Sequence, residues 1–205
     1  MASQALVDFK ERTNEVEQLI EAHSALTRLR RAEKAMKSQS QTLQSVATVI
    51  QHLVSQPGPG RPQEVHALNN AAIALLSAHL QGFVKDLYEE AASRVLDGKV
   101  SDVPSVIKAA NTRGNPKEQN ITKLFESIGF PDILDGLKWQ RMSNKSLRGK
   151  LRAFNELRNR IVHSSSERVH KSRVSNYLKV MTHFAEQLDS KLERDIRKLT
   201  GHNPW

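Results

Sequence analysis

Between Gln63 and Leu96 the chain runs without a proline and with a single glycine, Gly82, while Val65, Leu68, Ala72, Leu75, Leu76, Leu80, Phe83, Leu87 and Val95 recur at helical spacing. A stripe of that length predicts one long helix with a buried face, closed near Gly98 as a C-cap. Such a helix must be covered by others. Two stretches offer matching faces: Leu147, Leu151, Phe154, Leu157 and Ile161 within Ser143 to Ser166, and Val169, Val174, Leu178, Met181, Phe184, Leu188, Leu192, Ile196 and Leu199 within Glu167 to Thr200. No alternating strand pattern stands out, so the expected fold is all-α. With six Phe, two Trp and two Tyr in 205 residues, the core must be built mainly of Leu, Ile, Val and Ala.

The strongest break is Gln56-Pro-Gly-Pro-Gly-Arg-Pro62, through which neither helix nor strand can run. It divides the chain into an N-terminal helical extension (1–56), a Pro/Gly linker (57–62), a main helical domain (63–200) and a tail (201–205). In the extension, one helix is expected from about Gln4 to Lys37 and a second, forming a hairpin with it, over Leu43, Val46, Ile50, Leu53 and Val54. Their stripes are too narrow to be buried by each other, so they need the body or a partner chain. Arg28, Arg30, Arg31, Lys34 and Lys37 suit a phosphate backbone and equally a solvated face. Further on, Asp102 caps a short helix, Asn115-Pro116 opens another that ends at Gly129, and Phe130-Pro131-Asp132 starts a brief turn reaching Leu137. Trp139, among Lys138 and Arg141, has two open readings: a platform for a nucleobase, or an anchor holding its loop to the core.

Several chemistries are excluded early. The chain has no cysteine, hence no disulfide and no thiolate metal site. Its eight histidines form no His-x-x-x-His or His-Glu-x-x-His arrangement, there is no phosphate-cradling glycine loop, and no Gly-x-Ser-x-Gly elbow occurs. No metal and no cofactor are expected. Without a run of about 18 apolar residues or an apolar leader core, no membrane contact is expected either, and the expectation is a soluble, cytoplasmic protein. The formal charge of +9 favours a polyanionic partner.

The stretch Ser143 to Ser166 concentrates that charge. Lys138, Arg141, Lys145, Arg148, Lys150, Arg152, Arg158 and Arg160 stand in or beside it against one carboxylate, Glu156. On a helix, Arg158 falls in the middle of the apolar stripe, where a guanidinium is costly unless it is paired or borders a polar cleft. Arg152, Glu156, Asn159 and His163 share the other edge, with Asn159 and His163 one turn apart. The Ser164-Ser165-Ser166 cluster should end the helix near His163, with Ser166 or a neighbour capping the next. A His in a last turn, beside the negative end of the helix dipole, is suited to proton transfer near neutrality. Lys145, Arg148, Lys150, Arg152 and Arg160 are therefore candidate RNA contacts, and Arg158, Asn159 and His163 the candidate chemistry.

Arg158-Asn159, then three residues and His163, resembles the signature of the HEPN superfamily. Ala78-His79-Leu80-Gln81-Gly82-Phe83-Val84-Lys85 is similar to the Ala-His-Trp-Glu-Gly-Phe-Val-Lys core helix of one prokaryotic branch, as is Ile121 to Phe130 to the segment that follows it. The likeness spans roughly residues 63–195. It implies a HEPN-like bundle and a homodimer in which two copies of the Arg/His helix form one composite cleft that cleaves RNA without metal, as in toxin or antiviral-defence ribonucleases, with a cognate antitoxin or defence partner. One His serves poorly as both base and acid, which also favours two copies. His79 and Gln81 would support the site, although a lone His on such a helix also reads as a satisfied core residue. Gln81 stands where the branch has Glu, and Ser164 where it has Gly. Those departures weigh toward a second reading, a non-catalytic module that binds nucleic acid or protein; a purely structural helical adaptor is the third.

Overall fold

The computed structural model describes residues 2–37, 63–98, 100, 102–110, 117–163 and 167–205. Within them lie six helices: α1 (Gln4–Lys37), α2 (Gln63–Leu96), α3 (Val103–Ala110), α4 (Glu118–Glu126), α5 (Asn144–His163) and α6 (Lys171–Thr200). The one β feature among the described residues is an isolated bridge between Trp139 and Met142, so the fold is all-α as expected. The second N-terminal helix expected over Leu43 to Val54, the 57–62 linker and the Asn115-Pro116 helix start lie outside the described residues.

Helix α2 touches each of the other helices. Its buried positions come in adjacent pairs one turn apart, Ala72 with Ile73, Phe83 with Val84, Leu87 with Tyr88 and Ala91 with Ala92, which makes the apolar face broad enough for several neighbours. Each large side chain removed from water there contributes roughly 1.5–3 kcal/mol. Helix α1 joins this core through Ala5, Leu6, Phe9 and Val16, with the Phe9 ring 5.2 Å from that of Phe83. Its first turn is tied by other helices. Glu90 of α2 accepts from the backbone N–H of Gln4 (3.2 Å) and Ala5 (2.6 Å), and Asp189 of α6 accepts from that of Ser3 (3.3 Å). Ser3 Oγ in turn accepts from the N–H of Leu6, at 3.1 Å.

Two boundaries bear on the site. Helix α4 starts at Glu118, after an extended Lys117 that makes no side-chain cap. It ends in paired bonds, Phe130 N–H to Phe125 O and Gly129 N–H to Glu126 O, both 3.0 Å, with Gly129 at φ 94° and Phe125 and Phe130 buried together. Helix α6 begins at Lys171, four residues later than the apolar periodicity suggests. The cause is long-range: Asn70 donates to Glu167 O (2.8 Å) and accepts from Val169 N–H (3.3 Å), while Asn69 donates to Val169 O (2.8 Å). Backbone groups that a helix would have used are satisfied by two asparagines of α2 instead. Those bonds hold residues 167–169, just before α6, against the N-terminal part of α2.

Candidate functional site

Helix α5 buries Leu147, Leu151, Phe154, Asn155 and Leu157, and the Phe154 ring meets that of Tyr177 in α6 at 5.0 Å. Past Leu157 the same face is left open: Arg158 and Ile161 are only half-covered and Val162 is 53 % exposed. Arg158 Nη1 donates to Asn159 Oδ1 at 3.3 Å. His163, the last helical residue, is exposed. Five residues at about 100° each set Arg158 and His163 roughly 140° apart around the helix axis. On a single helix they therefore point to different sides.

The five expected RNA contacts separate into different roles. Arg148 is bonded within the chain: its guanidinium bonds Glu118 in the first turn of α4 and Asp135 in the following turn, while its Nε donates to Asn144 Oδ1 at 2.9 Å. The Glu118 hydrogen bond, with Asp135 helping and burial opposing, holds Arg148 above its already high usual pKa. Arg148, expected as an RNA contact, is thus engaged by two carboxylates of its own chain. Arg160 pairs with Glu167 at 3.1 Å, tying α5 to the segment just before α6. Arg152 is 71 % exposed and lies 3.6 Å from Glu118. Lys145 is exposed and Lys150 half-buried, neither with a partner among the described residues.

His79 and Gln81 sit elsewhere. His79 Nε2 lies 3.2 Å from Glu15 Oε2 of α1, so it faces α1 and not α5. It is also some ten residues, roughly 15 Å along the axis, from the asparagines that hold residues 167–169. Gln81 faces solvent. Trp139 is half-buried, packs on the core and stands 6.0 Å from the His183 ring, which makes it a loop anchor. His170, at the cap position of α6, contacts His66 edge-on at 6.1 Å.

Sequence reasoning missed a cleft of about 300 Å³ between α4 and α5. Lys117, Glu118 and Gln119 form one wall and Arg152, Asn155, Glu156 and Asn159 the other. Only Asn159 had been marked there as chemistry. The remaining signal, polar residues at 152, 155, 156 and 159 on one helix flank, was visible but had no opposing wall without the fold. Among the described residues no group of three or more His, Asp or Glu could hold a metal ion, and no helix is long and apolar enough to cross a membrane.

The six helices of the described residues, with Arg158, Asn159 and His163 on the last turns of one of them, form an all-α module of the kind expected. The chain belongs to the RiboL-PSP-HEPN family, whose model matches residues 89–194, more than half of its length. No curated protein and no solved structure matches it. Membership points to a nuclease-like or RNA-related module. The matched span holds the motif helix, both walls of the cleft and most of α6, but not α1 or the first part of α2.

Proposed function

We propose that two copies of this chain form a metal-independent endoribonuclease of toxin or antiviral-defence type, acting in the cytoplasm. The observation that carries the reading is the open end of α5. A stripe that is buried as far as Leu157 continues into a half-covered Arg158 and Ile161 and an exposed Val162, beside an exposed His163. An exposed valine next to a guanidinium in that position suits a second copy of the same helix. Two-fold pairing also overcomes the divergence of Arg158 from His163, because the cation of one copy can approach the imidazole of the other.

In that cleft one His163 takes the proton from a 2′-hydroxyl and its twin protonates the leaving 5′-oxygen. The two Arg158 groups offset the charge on the phosphorane, and Asn159, already bonded to Arg158, keeps each guanidinium oriented. Lys145, Lys150 and Arg152 hold the RNA backbone. The His163→Ala chain should stay folded and dimeric yet lose RNA cleavage, while the wild type with chelator present should leave 2′,3′-cyclic phosphate ends. Cleavage by the variant, or a requirement for metal, refutes the mechanism.

The divergence of Arg158 and His163 on one helix favours a second reading, a non-catalytic RNA-binding module. A chain that retards RNA in a salt-sensitive manner without cutting it supports that reading. A cognate antitoxin or defence partner would bind either form, and co-purification of a second protein with the chain tests for it.

A further inference from the structure

Of the residues lining the cleft between α4 and α5, only Asn159 and Arg152 have a part in the mechanism above. At about 300 Å³ it stands at the small end of ligand clefts, which run from roughly 300 to 1,000 Å³, a size for one flat ring system. Its lining is hydrogen-bonding. Asn155 is 4 % exposed, and its Nδ2 donates to Leu151 O at 2.9 Å, so this wall is fixed. Gln119 adds an amide from the opposite wall.

The two carboxylates differ. Glu118 is taken up by Arg148 and Arg152, whereas Glu156 has no partner among the described residues. An ionised carboxylate only accepts hydrogen bonds. It repels phosphate, so what it can receive from RNA is a ribose hydroxyl or the N–H groups of a base edge. Lys117 and Arg152, on either wall, can carry the neighbouring phosphates. Among the four bases guanine alone offers two adjacent N–H donors, N1–H and the 2-amino group, which match the two oxygens of one carboxylate.

We propose that this cleft is a base-reading subsite for a single-stranded nucleotide, that it favours guanine, and that Glu156 is the residue that reads it. Asn159 belongs to both the motif and the cleft, which places the base beside the scissile phosphate of the ribonuclease proposed above; the position, though not the base preference, rests on that reading.

The test uses the full chain carrying His163→Ala, with labelled uridine heptamers holding one central G, A, C or inosine, followed by fluorescence anisotropy. The G heptamer should bind about tenfold more tightly than A or all-U, with inosine, which lacks the 2-amino group, in between. Adding Glu156→Gln should cut the G preference to about threefold or less. A G preference unaltered by Glu156→Gln, or none in the parent, overturns the subsite. The ribonuclease reading is judged separately: a wild type that binds G best but never cuts sinks that reading and leaves the subsite standing, whereas cutting without base preference does the reverse.

Discussion

Replacing Arg148 tests whether the most bonded cation of α5 serves the fold or the RNA. Its side chain is 28 % exposed and Glu118 21 %, so their contact is partly shielded, whereas Asp135 at 59 % is largely in water. An exposed ion pair contributes about 0–1 kcal/mol, which sets the Asp135 share. Glu118 matters more, because Arg148→Ala leaves its half-buried carboxylate with only the largely exposed Arg152 at 3.6 Å, and losing the better partner of such a group costs about 1–3 kcal/mol. The expected loss is about 2 kcal/mol, or a Tm lower by about 4–8 °C for a chain of this size. Urea unfolding of Arg148→Ala, Glu118→Ala and the double variant should give a coupling of about 1–2 kcal/mol, against about 0.5 kcal/mol or less for the Asp135 cycle. RNA affinity should move less than in Lys145→Ala. The reasoning is refuted by a Glu118 coupling near zero, or by an Arg148→Ala chain of unchanged Tm whose RNA binding collapses.

Three other expectations are independent of that one. Asp189 is 2 % exposed; burial pushes its carboxyl above the usual aspartate range, with the hydrogen bonds from Ser3 opposing. The folded chain therefore holds that proton more tightly, so the contribution is fully present below the unfolded value near 3.9 and is lost as pH rises through the raised folded pKa. Asp189→Asn, which keeps an oxygen for Ser3, should flatten the stability profile across that window and be no less stable than wild type at pH 7; an unaltered profile in urea titrations at stepped pH contradicts this. Gly82→Ala places a Cβ 3.1 Å from Arg12 Nη1, the tip of a flexible side chain that pairs with Asp86 at 3.4 Å. Alanine gains about 0.8–1 kcal/mol over glycine in a helix, so calorimetry should show Tm raised by about 1–3 °C, and a marked fall would mean that Arg12 is not free to move. Asn70→Ala removes two bonds that hold the backbone at Glu167 and Val169 and should cost about 1–3 kcal/mol; if cleavage is observed in the wild type, its rate should drop with melting still cooperative.

The sequence by itself determined the long helices. The existence of α1, α2, α5 and α6 follows from apolar spacing, because a helix is built from contacts three and four residues apart; the Ser164-Ser165-Ser166 cluster lies outside the described residues. Asp102 also acts as read, its Oδ1 accepting from Ser105 N–H at 3.1 Å. The order Arg158, Asn159, His163 placed the candidate chemistry on one helix end for the same local reason. Only the tertiary structure decided which charges remain available. Arg148 is committed to Glu118, 30 positions away, His79 to Glu15 across α1, and the start of α6 to two asparagines nearly a hundred residues upstream. The cleft beside Asn159 exists only because α4 lies against α5. Periodicity states which side of a helix is apolar; which carboxylate meets a given cation depends on distances between segments, and those are set by how the helices pack.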